Sequence, residues 1–330
     1  MSTHQPMIAV DVVGGDFAPA EIIAGIELSL RETKGVGIIA VGPVDIVEPL
    51  AAAHERIVAV VATEAIDMHD HPASAVRAKK DSSIVVAARL VKEGRADAFF
   101  SAGSTGAVMA AATLVVGRLP GVHRPAIATV LPTVGLPCVL LDAGANADCK
   151  AENLLQFAHM GSAYATTVLS VDAPRVALLN IGEEPTKGSV LTQEAFALLS
   201  EGCPGFIGNV EGRDVLEGVA DVIVTDGFTG NVALKLLEGT SSVLLRQVKE
   251  AMTSSVITTL AAATMKPALL RLKARLDPDT YGGAPLLGVN GVCIIGHGAS
   301  SAKAVANAIR VGDTAVRGGL TSRIANALVR

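Results

Sequence analysis

Tryptophan is absent from the chain, and aromatic residues of all kinds make up only 3% of its 330 residues. Stacking platforms for nucleobases are therefore scarce. No long basic run is present either: 27 Lys and Arg stand against 32 Asp and Glu, a formal net charge of −5. That balance argues against nucleic acid as the main partner, which needs a concentrated cationic face. No stretch reaches the roughly 18 consecutive apolar residues of a membrane-spanning helix, although mean hydropathy is +0.48. The opening MSTHQPMIAVDVVGGD lacks a basic start, and Asp11 interrupts its apolar run, so it does not read as a signal peptide. Cys138, Cys149, Cys203 and Cys293 are dispersed, with no CxxC pair and no metal-ligand spacing. This usage fits a reduced, cytoplasmic setting and predicts no metal. P-loop, G-x-S-x-G and H-x-x-x-H patterns are all missing.

What is present is aliphatic, and it is ordered. MIAVDVV, VGIIAVG, RIVAVVAT, ADAFFSAG, AIATVLP, PCVLLDAG, RVALLNIG, GFIGNV, ADVIVTDG and GVCIIGHG read as buried strands bounded by Gly, Asp or Pro. Helix-like segments lie between them, including 19–33, 74–93, 146–169 and 190–201. Continuous apolar strands alternating with helices predict an α/β fold, a mainly parallel sheet with helices on both faces. No Ser/Pro-rich linker divides the chain, which reads as one unit over 1–330. In such folds ligands gather at the carboxyl ends of strands.

Three strand ends carry loops suited to chemistry. In DVVGGD, Gly14 and Gly15 let the chain turn sharply between Asp11 and Asp16, which more simply orient the turn than act as bases. SAGSTGA places Ser101, Gly103, Ser104, Thr105 and Gly106 at a strand-to-helix junction. Hydroxyls beside the free N–H groups of a helix start suit an anion such as phosphate, while plain N-capping needs only one of them. VIVTDGFTGNVALKLLEG repeats the arrangement with Thr225, Asp226, Thr229 and Asn231. RAKKDSS, 77–83, reads by itself as a solvated helical face. GHGASS, 296–301, imitates a dinucleotide turn but follows the last strand, where no later strand supplies a ribose-binding acid.

The stretch from Glu250 to Asp277 has no acidic residue inside it, while Lys266, Arg271, Lys273 and Arg275 are basic. Leu269, Leu272 and Leu276 share one helical face. Met265, Lys266 and Pro267 read as the tip of an amphipathic helical hairpin over 251–279, facing a dimer partner, an acidic protein or anionic lipid.

Taken in order, DVVGGD, AVRAKKDSS, SAGSTGA, LLDAGANADCK, NLLQFAHMGSAYA, LLNIGEEPTKGS, GNVEGRD, VTDGFTGNVALKLLEG, YGGAPLLG and HGASSAKA resemble the bacterial phosphate acyltransferases, from Asp11 to Ala304. Val13, Ser104 and Gly296 depart from the family pattern, which has Met, Asn, and Ser or Ala there. The resemblance implies an isocitrate/isopropylmalate-dehydrogenase-like fold and a cytoplasmic homodimer that visits an anionic membrane surface. It further implies acyl transfer from acyl-carrier protein to orthophosphate without a cofactor. The acyl-phosphate would pass to an acyl-phosphate:glycerol-3-phosphate acyltransferase for glycerophospholipid synthesis. Orthophosphate is already anionic and a thiolate leaves readily, so direct attack needs an anion cradle and oxyanion donors rather than a nucleophilic triad. The cradle then falls to Ser101–Gly106 and Thr225–Asn231, with Lys187, Asn209 and His297 as donors. A non-catalytic carrier- or membrane-binding scaffold and a decarboxylating dehydrogenase are the competing readings.

Overall fold

Side chains alternate across the central strands in two sets, and a helical layer covers each. The computed structural model describes residues 5–276 and 278–328. The chain begins β1 (Met7–Asp11), α1 (Ala20–Glu32), β2 (Gly37–Gly42), α2 (Val44–Ala53), β3 (Ile57–Val61), α3 (Pro72–Ala78), α4 (Ser83–Lys92), β4 (Ala98–Ser101) and α5 (Thr105–Ala111), which widens into a π-helical turn through Val116. It continues with β5 (Ala126–Leu131), β6 (Cys138–Leu141), α6 (Ala151–Val168), β7 (Val176–Leu179), α7 (Val190–Gly202), β8 (Phe206–Val210) and β9 (Val222–Val224). Two long helices, α8 (Gly227–Met252) and α9 (Val256–Leu276), precede β10 (Ala284–Leu287), β11 (Val292–Ile295), α10 (Ala302–Arg317) and α11 (Leu320–Leu328).

All the strands join one sheet, ordered β3-β2-β1-β4-β11-β10-β5-β6-β9-β7-β8. Ile8, Val10, Ile38 and Phe100 pack on one face with Phe157, Tyr164, Val305 and Ile309. Ala9, Ile39, Val41 and Phe99 pack on the other with Ile84, Val85 and Val108. Burial on both faces is what makes these strands continuous apolar runs.

Pairing is parallel from β3 to β11 and again among β6, β9, β7 and β8. Between these halves, β10 is antiparallel to both β11 and β5, and β5 is antiparallel to β6. The strands of the second half therefore run opposite to β1 and β4. The sheet is mainly parallel, as anticipated, but its carboxyl ends divide between two directions.

Several local expectations are corrected. Residues 74–93 form two helices rather than one. Ser82 donates to Lys79 O at 2.8 Å and closes the first, so 79–82 is a turn with Ser82 buried, not a solvated helical face. The helix expected from 146 begins at Ala151, because the preceding residues wrap a buried carboxylate. In the basic stretch, Met265–Pro267 is not a tip: Pro267 lies inside α9. The chain reverses at Thr253–Ser255, where hydroxyls replace helical partners. Thr253 and Ser254 donate to the carbonyls of Lys249 and Ala251. Ser255 and Thr258 exchange side-chain-to-backbone bonds at the start of α9, the reciprocal arrangement that caps a helix. Over its whole length α9 shows little separation of apolar from polar faces. Met265 and Leu270 are exposed, as are Lys266 and Arg271, and Leu269 is half-buried; the side chains of Lys273 and Arg275 lie outside the described residues. Among the described residues no helix is long and apolar enough to cross a membrane.

Candidate active site

The loops after β1, β4 and β11 meet, because those strands are neighbours running the same way. Asp11 closes β1, is 1% exposed, and organises the meeting. Its Oδ1 accepts the N–H groups of Val13 and Gly14, both at 3.1 Å. Its Oδ2 accepts the Ser101 hydroxyl at 2.7 Å, and Ser83 supplies a second hydroxyl. Burial nevertheless outweighs these bonds and pushes the carboxyl above its ordinary range. Gly15 adopts φ +114°, a conformation that favours glycine. The next residue, Asp16, donates its N–H to Gly298 O at 2.7 Å.

The SAGSTGA loop divides into committed and open groups. Ser101 is wholly buried; it donates to Asp11 and accepts Gly103 N–H at 3.0 Å. Ser101 and the Gly103 amide are thus loop-building groups rather than anion ligands. Ser104 is different. It stands at the start of α5, is 8% exposed, and makes no capping bond with its hydroxyl. The first-turn N–H groups of Thr105, Gly106 and Ala107 remain beside it without helical partners. His297 lies on the adjoining loop, exposed. Its Nδ1 accepts Ala299 N–H at 3.2 Å, which leaves Nε2 to carry the proton.

The second loop set belongs to the oppositely directed strands. At the end of β6, Asp142 is fully buried. Its Oδ1 accepts N–H from Ile127, Gly144 and Ala145 at 3.0, 3.1 and 2.9 Å. Its Oδ2 accepts both the backbone N–H and the side-chain amide of Asn146 at 2.8 Å. Burial raises this carboxyl too. Asn146 O then accepts Gly227 N–H at 2.8 Å, fixing the start of α8. Asp226 caps that helix, accepting Thr229 N–H at 2.9 Å and the Thr229 hydroxyl at 2.7 Å. This terminus presents its own carboxylate, so Asp226 and Thr229 do not form an open phosphate cradle. The Asn231 side chain lies against Gly144.

Lys187 and Asn209 stand at the β7 and β8 ends, with the second set and not with His297. Asn209 is no free donor: its amide nitrogen gives to Glu184 O at 3.0 Å and Glu183 O at 3.5 Å. Lys187 is exposed, with no ion pair among the described residues. No hydrogen bond among the described residues joins Ser101–Gly106 to Asp226–Asn231. Ser83, Asp142 and Asn146 are the contributors that sequence patterns did not single out, since each acts through a fold-dependent contact.

No cysteine is poised as a nucleophile. Burial pushes the Cys149 thiol up to about 11, Cys203 to about 11 and Cys138 to about 12, and Cys293 is raised as well. Among the described residues no group of three or more His, Cys, Asp or Glu side chains gathers as metal ligands would.

Comparison with known proteins gives a consistent result. The model of the fatty acid synthesis protein family matches residues 7–323. A phosphate acyltransferase of Heliobacterium modesticaldum is 54% identical over 315 residues, covering 94% of each chain. A phosphate acyltransferase of Desulfitobacterium hafniense is 51% identical over 327 residues, covering 98% of each. Among solved structures, a phosphotransacetylase from Streptococcus pyogenes superposes with TM-score 0.63 at 17% identity over 94% of both chains. A 4-hydroxythreonine-4-phosphate dehydrogenase from Burkholderia phymatum gives 0.52 at 13% identity, over 94% of this chain and 98% of that one. At those identities the superpositions bear on the fold alone.

Proposed function

The chain belongs to the phosphate acyltransferase family and is an acyltransferase, and from that premise we propose that it moves a fatty acyl group from acyl-carrier protein to orthophosphate. An oxygen of monohydrogen phosphate attacks the thioester carbonyl carbon and forms the C–O bond. The tetrahedral intermediate collapses by C–S cleavage, and the proton lost from phosphate ends on the departing thiolate. The products are acyl-phosphate and free carrier. The observation that carries this reading is the first turn of α5, whose Ser104 hydroxyl makes no hydrogen bond among the described residues. Unpaired N–H groups there suit phosphate, and the Nε2–H of His297 on the neighbouring loop suits the oxyanion of the intermediate. The raised thiols support direct attack over a cysteinyl intermediate.

Lys187 supplies a cation from the second loop set, for phosphate or for the acidic carrier, while Asn231 and the Asp226 cap shape that set's surface. The basic residues of α9 serve an anionic membrane surface, where an amphiphilic, hydrolysable product would pass directly to an acyl-phosphate:glycerol-3-phosphate acyltransferase for glycerophospholipid synthesis. A homodimer would carry two such helices and gain by avidity. The test is release of free carrier thiol from palmitoyl-carrier protein as orthophosphate is added. Phosphate-dependent release with acyl-phosphate formed in equal amount supports the reading. Its absence, or a trapped acyl-cysteine, refutes it.

A further inference from the structure

The segment between β3 and α3 crosses the first loop set as a strap. Its ends are tied: Asp81 accepts the N–H and hydroxyl of Thr63 at 3.0 and 2.6 Å. Lys79 donates to Ala65 O at 2.9 Å and pairs with Asp70 at 2.7 Å. Ile66 is the strap's buried apolar anchor. Where it crosses, a side chain placed on Gly298 would meet Met68 Cε at 3.1 Å, and one placed on Gly106 would meet Pro72 Cγ at 2.6 Å. The strap therefore touches the His297 loop through Met68, and α3, which it leads into, touches the first turn of α5 through Pro72.

Along this line two large apolar side chains stay in solvent, Met68 at 50% exposure and Phe17 at 56%. Phe17 follows Asp16, whose carboxylate oxygens lie 3.1 and 3.2 Å from the same Gly298 position. It also lines an open depression whose other walls are Ala18, Ala20 and Ala299, with Glu21 and Ser301 as its polar members. A tied strap that leaves a flexible thioether outward, with an exposed aromatic ring one residue beyond the Asp16 that shares its Gly298 contact, offers apolar surface on both sides of that loop. The chain attached to a carbonyl held at the α5 turn must leave along some surface, and this one borders that turn.

We propose that Met68 and Phe17 form the subsite for the fatty acyl chain; this rests on the reading of the α5 turn as the phosphate site. Two measurements separate the two claims. Calorimetric titration with palmitoyl- and acetyl-pantetheine thioesters, without phosphate, reads the subsite; phosphate-dependent thiol release reads the reaction. In Met68→Gln and Phe17→Ser the palmitoyl-to-acetyl ratio of affinities should fall roughly tenfold, as expected for about two methylenes of lost apolar contact. Met68→Leu, apolar and of similar volume, should keep the ratio. An unchanged ratio in both polar variants, or equal losses for both thioesters, would overturn the subsite. If the palmitoyl preference falls as expected but phosphate releases no thiol, the subsite stands and the assigned reaction falls.

Discussion

Replacing Asp142 by Asn keeps the shape of the side chain and exchanges one acceptor oxygen for an NH2 group. In the wild-type protein Oδ1 receives three backbone N–H groups and Oδ2 receives two from Asn146. Whichever way the new amide turns, its nitrogen faces at least two donors. Its least costly position is that of Oδ2, because the Asn146 side chain keeps Pro125 O as a partner at 2.8 Å. That still strands the Asn146 backbone N–H and both new N–H groups in a buried site, at about 1–3 kcal/mol each. Relief from burying a carboxylate acts in the opposite sense, as its raised pKa requires. The net expectation is the bottom of the range, about 3 kcal/mol. At about 2.1 cal/mol/K of unfolding entropy per residue, this lowers Tm by roughly 4 °C. Thermal unfolding and urea titration should agree, and amide exchange at Gly144, Ala145 and Gly227 should accelerate together. A loss below about 0.5 kcal/mol, the scatter of ordinary surface substitutions, would show that Asp142 does not hold this loop together.

Gly106→Val forces a branched side chain toward Pro72, so the Michaelis constant for phosphate should rise at least roughly tenfold, about 1.4 kcal/mol; an unchanged phosphate response in folded protein removes the α5 turn from the site. Lys187→Met should weaken phosphate use more than carrier binding, and the opposite pattern in a steady-state comparison would assign Lys187 to the carrier. Asp221 is buried, which alone would raise its pKa, yet the Arg175 side chain and N–H hold it below the ordinary carboxylate range. Its contribution to stability is therefore whole above the unfolded-state carboxylate value and is lost as pH falls through the lower folded value; Arg175→Leu should shrink this acid loss in urea titrations across pH, and an unaltered acid limb would refute the pairing. Sedimentation with anionic vesicles should weaken in high salt and in Leu269→Glu or Arg271→Glu; indifference to all three would leave α9 without a membrane role.

Much of the sheet was legible because its strands are buried on both faces. Runs such as GIIAVG and CVLL are apolar throughout and end at Gly or Asp, so they stand out without help from their neighbours. β10 did not, since APLL is short, contains Pro285, and becomes a strand only by lying between β11 and β5. Pro267 signalled a turn by its own chemistry, whereas the chain reverses at Thr253–Ser255 through hydroxyls that look ordinary in a sequence. In the loops, residue types identified the neighbourhood but not the vacancies. Ser101, Asp226 and Thr229 carry the right groups for phosphate, and their hydrogen bonds to Asp11 and to each other depend on distant or paired partners. The Asn209 amide nitrogen is spent on the Glu183–Glu184 turn in the same way.

The antiparallel position of β10 bears on the order in which the molecule can be completed. β4 is made early and pairs with β1 on one side, but its other neighbour is β11. β5 likewise pairs with β6 and waits for β10. Until Ala284–Ile295 emerges from the ribosome, each half-sheet carries an unpaired inner edge made of a mainly apolar strand. Such edges readily recruit foreign strands, and nascent chains meet that hazard while synthesis proceeds at about 5–20 residues per second. The β10–β11 hairpin thus acts as a keystone and is the last part of the sheet to be delivered, and a chain cut short before it would be left with two incomplete sheets rather than one smaller enzyme.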